Sequence, residues 1–548
     1  MAGVSVASTA LLVLVALIVY RFMIYPAFVS PLSKIPPAHH TAAISPAWIL
    51  WKRYSGNENV TVHAAHARFG PLVRLGPSEI SVNCVDGGIR TVYGGGYEKG
   101  DWYSKMFANY GYHNMFSTAE RGPHSVRKRM LSNIYAKSTL QSSPALAQIS
   151  SIILLDRMLP RIGKGQKIVL EAYELFSAVT MDFVTAYQFG LPQGSNFTQD
   201  EKHCREFLLD YKARQQYTFW PQEVPNLTAF ARRVGLGHLL VPKWVDQANR
   251  DIEDWCLSMC DAAENALESG TTSTPGDVPS VYGQMRTALM KEQMKQDSAS
   301  VEKQGPALTE EQRLSIASEM LDQLAAGFDT SGITLTYLAW ELSKPHNSNL
   351  QEALRHELQF LDPPIRLTTA SEKKSTLPDP KDIDALPLLH AVLMETLRLH
   401  AAIPGGQPRV TPANASLGPP DNAIHGIPAG IRVNSAAFSL HRNPDVFAEP
   451  EQWRPERWLD AEGAVDSGGE KGRWFWAFGS GGRMCVGSNL AMVEMKNIVA
   501  ALWSNYRTAI VDDKGMVHNG GYLAEPLGSP EGNYLLLRCE CLPITSES

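Results

Sequence analysis

The hydrophobic and polar positions along the chain fall into three regimes. From Val4 to Tyr20 the residues carry no charge and are mostly Leu, Val and Ala. Adding Phe22 to Tyr25, with Arg21 reaching its charged tip to the interface, gives a run of about 20 residues, enough to cross a bilayer core. A cleaved leader competes with this reading, but no Lys or Arg precedes the run and no small-residue cleavage pattern follows it. Arg21, Lys34, Lys52 and Arg53 lie downstream, so the positive-inside tendency leaves the body of the chain on the cytosolic side. The segment from Pro26 to Pro37 (PAFVSPLSKIPP) reads as a semi-rigid link. The expected organisation is therefore an anchor over 1–25, a linker over 26–37 and a body over 38–548.

Within the body, Leu72 to Val82 alternates apolar and β-branched residues around Gly76-Pro77 and predicts a hairpin. From there to about residue 405, apolar positions recur at helical spacing over 125–138, 143–160, 170–190, 245–268, 308–343, 347–360 and 386–400. The 308–343 segment has a capping-box pair in Thr309 and Gln312 and a stop in Pro345. At ~1.5 Å per residue it would run about 50 Å, the width of the whole body. Thr271–Val278 and Asp362–Asp384, rich in Pro, Ser, Thr and charge, predict exposed loops. Beyond about 408 the pattern shortens to strands and turns, with a last helix over 488–504. These patterns imply a mainly α fold with small β-sheets at its margin.

Composition narrows the function classes. At 548 residues, 44% hydrophobic and 19% charged, the chain is ordinary globular material with a large core. A formal net charge of −6 gives no basic field, and no nucleic-acid partner is implied. The seven cysteines are odd in number and lack framework spacing, which argues against a disulfide-stapled fold. Cys256 and Cys260 have no second pair to complete a zinc site. Sequons at Asn59, Asn196, Asn226 and Asn414 are silent in a cytosolic body.

Three clusters carry candidate chemistry. Phe478 to Gly487 reads FGSGGRMCVG and runs into an apolar helix from Ser488. Loop N–H groups and a helix N-terminus favour a thiolate at Cys485 and lower its pKa, and a soft thiolate suits haem iron. Glycines 479, 481, 482 and 487 let backbone approach a flat macrocycle, and Arg483 can reach a propionate. A phosphate cradle lacks its GK[ST] ending here, and a plain turn around a buried Cys stays open. Second, Ala326 to Ser331 (AGFDTS) places Asp329 and Thr330 mid-helix, where the Thr hydroxyl can bond the carbonyl one turn back and the pair can relay protons. A small-residue helix contact is the alternative. Third, Glu395 and Arg398 lie on one helical face, and Arg457 in FAEPEQWRPERW can join them in a buried structural network.

Together these residues resemble the cytochrome P450 family. FGSGGRMCVG fits its F-x-x-G-x-R-x-C-x-G haem signature, AGFDTS its oxygen-activation helix, ETLR its E-x-x-R helix and PERW the segment that follows. The resemblance runs over about residues 30–540. It implies the P450 fold, a triangular helical body with a long central helix over the haem. It also implies haem b (iron protoporphyrin IX) with Cys485 as axial iron ligand. Phe478 and Gly487 would frame that ligand, and Asp329 and Thr330 would activate oxygen. Arg483 and Arg409 would contact propionates, while Glu395, Arg398 and Arg457 would hold the proximal side. The family's usual Trp-x-x-x-Arg pair is replaced here by His124 and Lys128, leaving open which basic residue of 127–129 reaches a propionate.

The implied reaction is insertion of one atom of O2 into a bulky hydrophobic substrate of terpenoid or polyketide type, in a fungal secondary-metabolite pathway. No flavin or nicotinamide fingerprint occurs, since Gly94-Gly95-Gly96 lacks the strand and helix context. Electrons would come from NADPH–cytochrome P450 reductase, docking near Arg127, Lys128, Arg129, Lys471 and Arg473. A single-pass protein of the endoplasmic reticulum membrane, working as a monomer with a cytosolic catalytic domain, is the expectation. Substrate contacts are expected from Tyr103–Phe116, the face near Phe328, Ile403-Pro404 and Tyr522-Leu523, a nearly uncharged set. The competing readings are a haem-thiolate isomerase or dehydratase that uses no O2, and a non-catalytic membrane-tethered haem-binding protein.

Overall fold

The computed structural model describes residues 2–163, 167–296, 308–367, 376–466 and 468–542. Helix α1 (Ala2–Val19) passes without a break into a wider π-type helix over Tyr20–Val29. Together they hold one stretch, Ala7–Val29, of 23 residues, long and apolar enough to cross a membrane and exposed from Ala7 to Ile24. The segment expected as a link over 26–37 packs against the body. Pro26 is buried inside the helix, and Leu32 and Ile35 sit in the core. Arg74, itself buried, donates to the carbonyls of Pro26 at 2.7 Å, Pro77 at 2.9 Å, Gly76 at 3.1 Å and Ala43 at 3.3 Å. A buried guanidinium has five N–H groups to satisfy, and these four carbonyls take that role in place of a carboxylate.

The hairpin forms as expected. Strands β1 (Leu72–Gly76) and β2 (Glu79–Val82) pair antiparallel. Strands β4 (Arg409–Val410) and β7 (Arg432–Asn434) extend them into a four-stranded sheet of order β1-β2-β7-β4. A second sheet joins β3 (Lys167–Glu171), β9 (Leu536–Cys541) and β8 (Tyr506–Asp512), and β5 (Ala415–Leu417) pairs with β6 (Ile424–Ile427). The chain's late segments thus return to strands from its first third, a non-local pairing that local pattern cannot announce.

The helical body is built around two helices. Every residue of α3 (Ala172–Phe189) except Glu174 is buried, so this helix is apolar all round and occupies the centre. The long helix α6 (Glu310–Ser343) packs against it, capped by Thr309 Oγ1 accepting from the Gln312 N–H and Gln312 Oε1 accepting from the Thr309 N–H. Close approach explains two glycines of α6. A Cβ on Gly327 would lie 2.7 Å from a Val184 methyl, and one on Gly332 would lie 3.2 Å from Ser177 Oγ. Fully burying side chains such as Phe176, Phe183 and Phe328 stabilises the pair by roughly 1.5–3 kcal/mol each.

Around this pair stand α2 (Arg121–Leu131), α4 (Glu201–Gln215), α5 (Lys243–Ser269), α7 (Pro387–Leu399) and α8 (Ser488–Asn505). The helix expected over 125–138 is broken between Leu131 and Lys137, and it starts four residues earlier, at Arg121. Part of the loop expected over 362–384 lies outside the described residues, and Pro380–Ala385 is helical.

Candidate functional site

The Cys485 loop is held from both ends. The Cys485 N–H donates to the Phe478 carbonyl at 3.0 Å, closing the turn. Gly479 and Gly481 adopt φ of +68° and +70°, conformations that disfavour side chains. A Cβ on Gly481 would strike the Tyr93 carbonyl at 2.3 Å, so this glycine serves contact with the 85–94 segment. Gly482 and Gly487, by contrast, face open space within 4 Å of an added Cβ. Cys485 keeps accessible surface although it lies deep in the molecule. Burial pushes its thiol up, opposed by the N–H groups of Gly487 and Ser488 and by the Lys128 ammonium. The expectation of a lowered thiol pKa is therefore corrected: loop and helix donors act in the stated sense, but desolvation outweighs them.

Above the loop lies a group of buried cations. Lys99 donates to the Phe116 carbonyl at 2.6 Å and sits over the rings of Phe116 and Tyr103, 4.1 and 4.3 Å from their centres. Arg409 donates to the Tyr103 hydroxyl at 2.9 Å. Arg483 donates to the Thr118 and Ala119 carbonyls at 2.7 and 2.5 Å. Burial lowers Lys99 well below its usual value, and the neighbouring Arg409 and Arg483 add to that effect. Arg483 falls to about 10 for the same reasons, burial first and then Arg409. His124 is pushed down to about 3 by burial and then by Arg483, Lys99 and Lys128, so its ring is neutral.

Among the described residues, no carboxylate forms an ion pair with Lys99, Arg409 or Arg483. Mutually repelling cations, Lys99 and Arg409 buried and Arg483 half-buried, without a directly paired carboxylate favour an anion beside them, and a group bearing two carboxylates fits. Lys99 is a member that sequence reading missed. Lys128 turns inward and donates to the Gly482 and Met484 carbonyls, both at 3.0 Å, on either side of Arg483.

Glu395 is fully enclosed and accepts five hydrogen bonds. Arg398 supplies two at 2.8 Å, Arg457 Nε one at 3.0 Å, Trp458 Nε1 one at 3.0 Å and the Arg454 N–H one at 2.9 Å. Arg398 also bonds the carbonyls of His441, Pro450 and Gln452. His441 links this network to the cysteine loop. Its Nδ1 lies 2.8 Å from the Arg398 carbonyl, and its Nε2 accepts from the Trp476 N–H at 2.7 Å. Those partners require the proton on Nδ1, and burial drives the ring down to about 3, keeping it neutral. No sequence signal marked His441, because its role depends on two main-chain partners far away in sequence.

On α6 the Thr330 hydroxyl bonds the Ala326 carbonyl at 2.7 Å, the back-bond expected, and the helix stays continuous through it. Asp329 is buried and meets the hydroxyls of Tyr173 at 3.3 Å and Tyr211 at 3.4 Å. Ala326, Asp329 and Thr330 line a cavity of about 1,590 Å³, with Phe107, Phe116, Ile403, Tyr522 and Leu523 among its other walls. The expected face near Phe328 lines the cavity through Ala325, Ala326, Asp329 and Thr330, while Phe328 itself is enclosed against the rings of Tyr211 and Phe207 at 5.0 and 6.0 Å. One expectation changes: the lining is not nearly uncharged. Some of its charges pair with one another: Arg53 and Arg432 with Glu223, and Lys212 with Glu525.

The expected docking cations are also revised. Arg127 pairs with buried Glu319 at 3.1 Å, Lys471 with Asp466 at 2.7 Å, and Arg473 with Asp86 at 2.5 Å and with Glu470. With Lys128 turned inward, Arg129 is the one member of the set that is exposed and forms no ion pair among the described residues.

An α-helical body with marginal sheets, a cysteine loop under buried cations and a Glu–Arg–Arg network define a haem-thiolate enzyme. The chain belongs to the cytochrome P450 family, whose sequence profile, described as Cytochrome P450, matches residues 45–519. It is a monooxygenase by that membership and by its relatives. It is 28% identical over 443 residues to cytochrome P450 monooxygenase avaI of Aspergillus versicolor, covering 78% of this chain and 93% of that protein. It is 25% identical to pisatin demethylase of Fusarium vanettenii, covering 90% of this chain and 88% of that protein. Benzoate 4-monooxygenase bphA of Aspergillus niger is likewise 25% identical, with 90% and 92% covered.

Proposed function

We propose that this chain is a membrane-anchored monooxygenase that binds haem b through Cys485 and inserts one atom of O2 into a bulky hydrophobic substrate of terpenoid or polyketide type. The observation that carries the reading is the pairing of an accessible Cys485 with a cluster of cations, Lys99, Arg409 and Arg483, that forms no ion pair among the described residues. The cavity's inner walls beside Thr330 (Phe107, Phe116, Ile403 and Leu523) are mostly aromatic and aliphatic. Such walls favour a hydrophobic substrate. The fungal relatives favour a fungal secondary-metabolite pathway, and they include a pisatin demethylase and a benzoate 4-monooxygenase.

When bound, the haem supplies dioxygen activation, with thiolate donation favouring O–O cleavage. The chain's own residues do the rest. Lys99, Arg409, Arg483, His124 and Lys128 would hold the carboxylates of the haem. Gly487 and Ser488 direct N–H groups at the Cys485 sulfur, while Phe478 and Gly487 fix the turn. Asp329 and Thr330 hold and pass a proton at the cavity wall. Phe107, Phe116 and Leu523 exclude water and orient the substrate. Electrons come from NADPH–cytochrome P450 reductase docking on the cysteine-loop face, with Arg129 as its exposed cation. The helical span over residues 7–29 anchors a cytosolic catalytic domain to the endoplasmic reticulum as a single-pass monomer.

The test is turnover of the full-length protein in membranes with reductase, NADPH and a panel of terpenoids and polyketides under isotopically labelled O2. One labelled oxygen per product, dependent on NADPH, is expected. Product formed without O2 or NADPH would indicate an isomerase or dehydratase and overturn the proposal, as would binding confined to small ionic compounds.

A further inference from the structure

Asp329 belongs to a network that oxygen insertion alone does not call for. Tyr173 from α3 and Tyr211 from α4 each direct a hydroxyl at its carboxyl. Gln215, one turn beyond Tyr211, sits between Asp329 and Glu525. Its amide is satisfied when the nitrogen faces Glu525, donating to both carboxylate oxygens at 2.6 and 2.8 Å. The amide oxygen then occupies the position 3.5 Å from Asp329 Oδ2. Two acceptors face each other there unless Asp329 carries the proton. Glu525 also accepts from Lys212 Nζ at 2.6 Å, and that ammonium lies 4.1 Å from the centre of the Tyr173 ring.

We propose that the Lys212–Glu525 pair, bridged by Gln215, sets the proton occupancy of Asp329, while Tyr173 and Tyr211 hold the carboxylate left when the proton departs. This rests on the reading of Asp329 as a proton donor and makes the other five positioning residues. The step balances without a co-reactant. The O–H bond at Asp329 Oδ2 breaks, an O–H bond forms on an acceptor at the cavity wall, and solvent restores the proton. Asp329, Thr330, Gln215 and Glu525 all line the same cavity, which gives solvent its route.

The electrostatics agree in sign. Burial raises Asp329 to about 6; the Lys212 charge lowers it, Glu525 raises it, and the Tyr173 bond and Arg214 lower it. The groups that face it are thus Tyr173 from α3, Tyr211, Lys212 and Arg214 from α4, and Glu525 from the C-terminal segment, with Tyr534 beside Lys212 at 5.3 Å.

The test uses the haem-loaded full chain. Its protonated-carboxyl infrared band, assigned by its loss in Asp329→Asn, is titrated against pH. Glu525→Gln removes the raising charge and frees Lys212, so the midpoint should fall by about one pH unit, a tenfold loss of proton occupancy at neutral pH. Lys212→Met should move it upward by a similar amount. The share of NADPH electrons released as peroxide should rise in Glu525→Gln and recover at lower pH. Midpoints that shift together or stay fixed, while the reduced carbon monoxide spectrum is intact, overturn the proposal. Should Glu525→Gln fail to retain haem, Glu525→Asp must keep a near-native midpoint, and Lys212→Met alone still decides the sign. An Asp329→Asn enzyme with undiminished coupling would instead remove the donor reading while leaving the titration result standing.

Discussion

Replacing Cys485 by Ala should abolish the thiolate-type Soret band of the reduced carbon monoxide complex and reduce turnover to background. Of the seven cysteines, Cys485 is the one in the FGSGGRMCVG loop, with main-chain donors from Gly487 and Ser488 on its sulfur. The other cysteines in described positions are buried, apart from Cys541 at the end of β9. None of them can substitute. Loss of a residue that merely supports a metal ligand costs about 10–100-fold, so loss of the ligand itself should exceed that range. The cations above the loop remain in this variant, so weak haem retention with a shifted band is compatible with it. A normal thiolate band in Cys485→Ala would refute the assignment.

The second large effect is expected at Glu395. Its carboxylate joins α7 to the 454–458 segment through five donors and is itself fully buried. Glu395→Ala strands Arg398 and Arg457 without a counter-charge. Breaking a buried ion pair by removing one partner costs about 3–5 kcal/mol. Little folded, haem-loaded protein should accumulate, measured as the ratio of haem absorbance to total protein. Glu395→Gln keeps the shape but loses the charge and should fall between the two. A Glu395→Ala protein that unfolds at the wild-type temperature would show that the network carries no structural weight.

What was legible in the chain followed from local rules. The α6 cap, with Thr309, Gln312 and Pro345, obeys residue-level chemistry and appeared where expected. The turn at Gly76-Pro77 and the back-bond of Thr330 did so too. The helix α4 went unmarked because its buried positions, Cys204, Leu208 and Tyr211, form a narrow stripe in an otherwise polar segment. Lys99 and His441 were hidden for another reason. Their roles are defined by carbonyls and charges that arrive from distant segments, and a lone Lys or His carries no local sign of that. Desolvation explains the misjudged Cys485 thiol: the donors were readable in the loop, but the depth of burial was not.

The clamp between Arg74 and the Pro26 carbonyl makes the anchor part of the enzyme's own bonding inventory. This bond ties the apolar N-terminal helix directly to strand β1, so in the proposed anchored state a change in helix tilt, as bilayer thickness imposes, would be transmitted to the body. The same bond fixes where the chain can be shortened. A version starting at Met23 retains the acceptor, whereas one starting at Ser30 leaves a buried guanidinium short of a partner, a penalty of about 1–3 kcal/mol. One arginine thus ties the proposed anchor to the sheet.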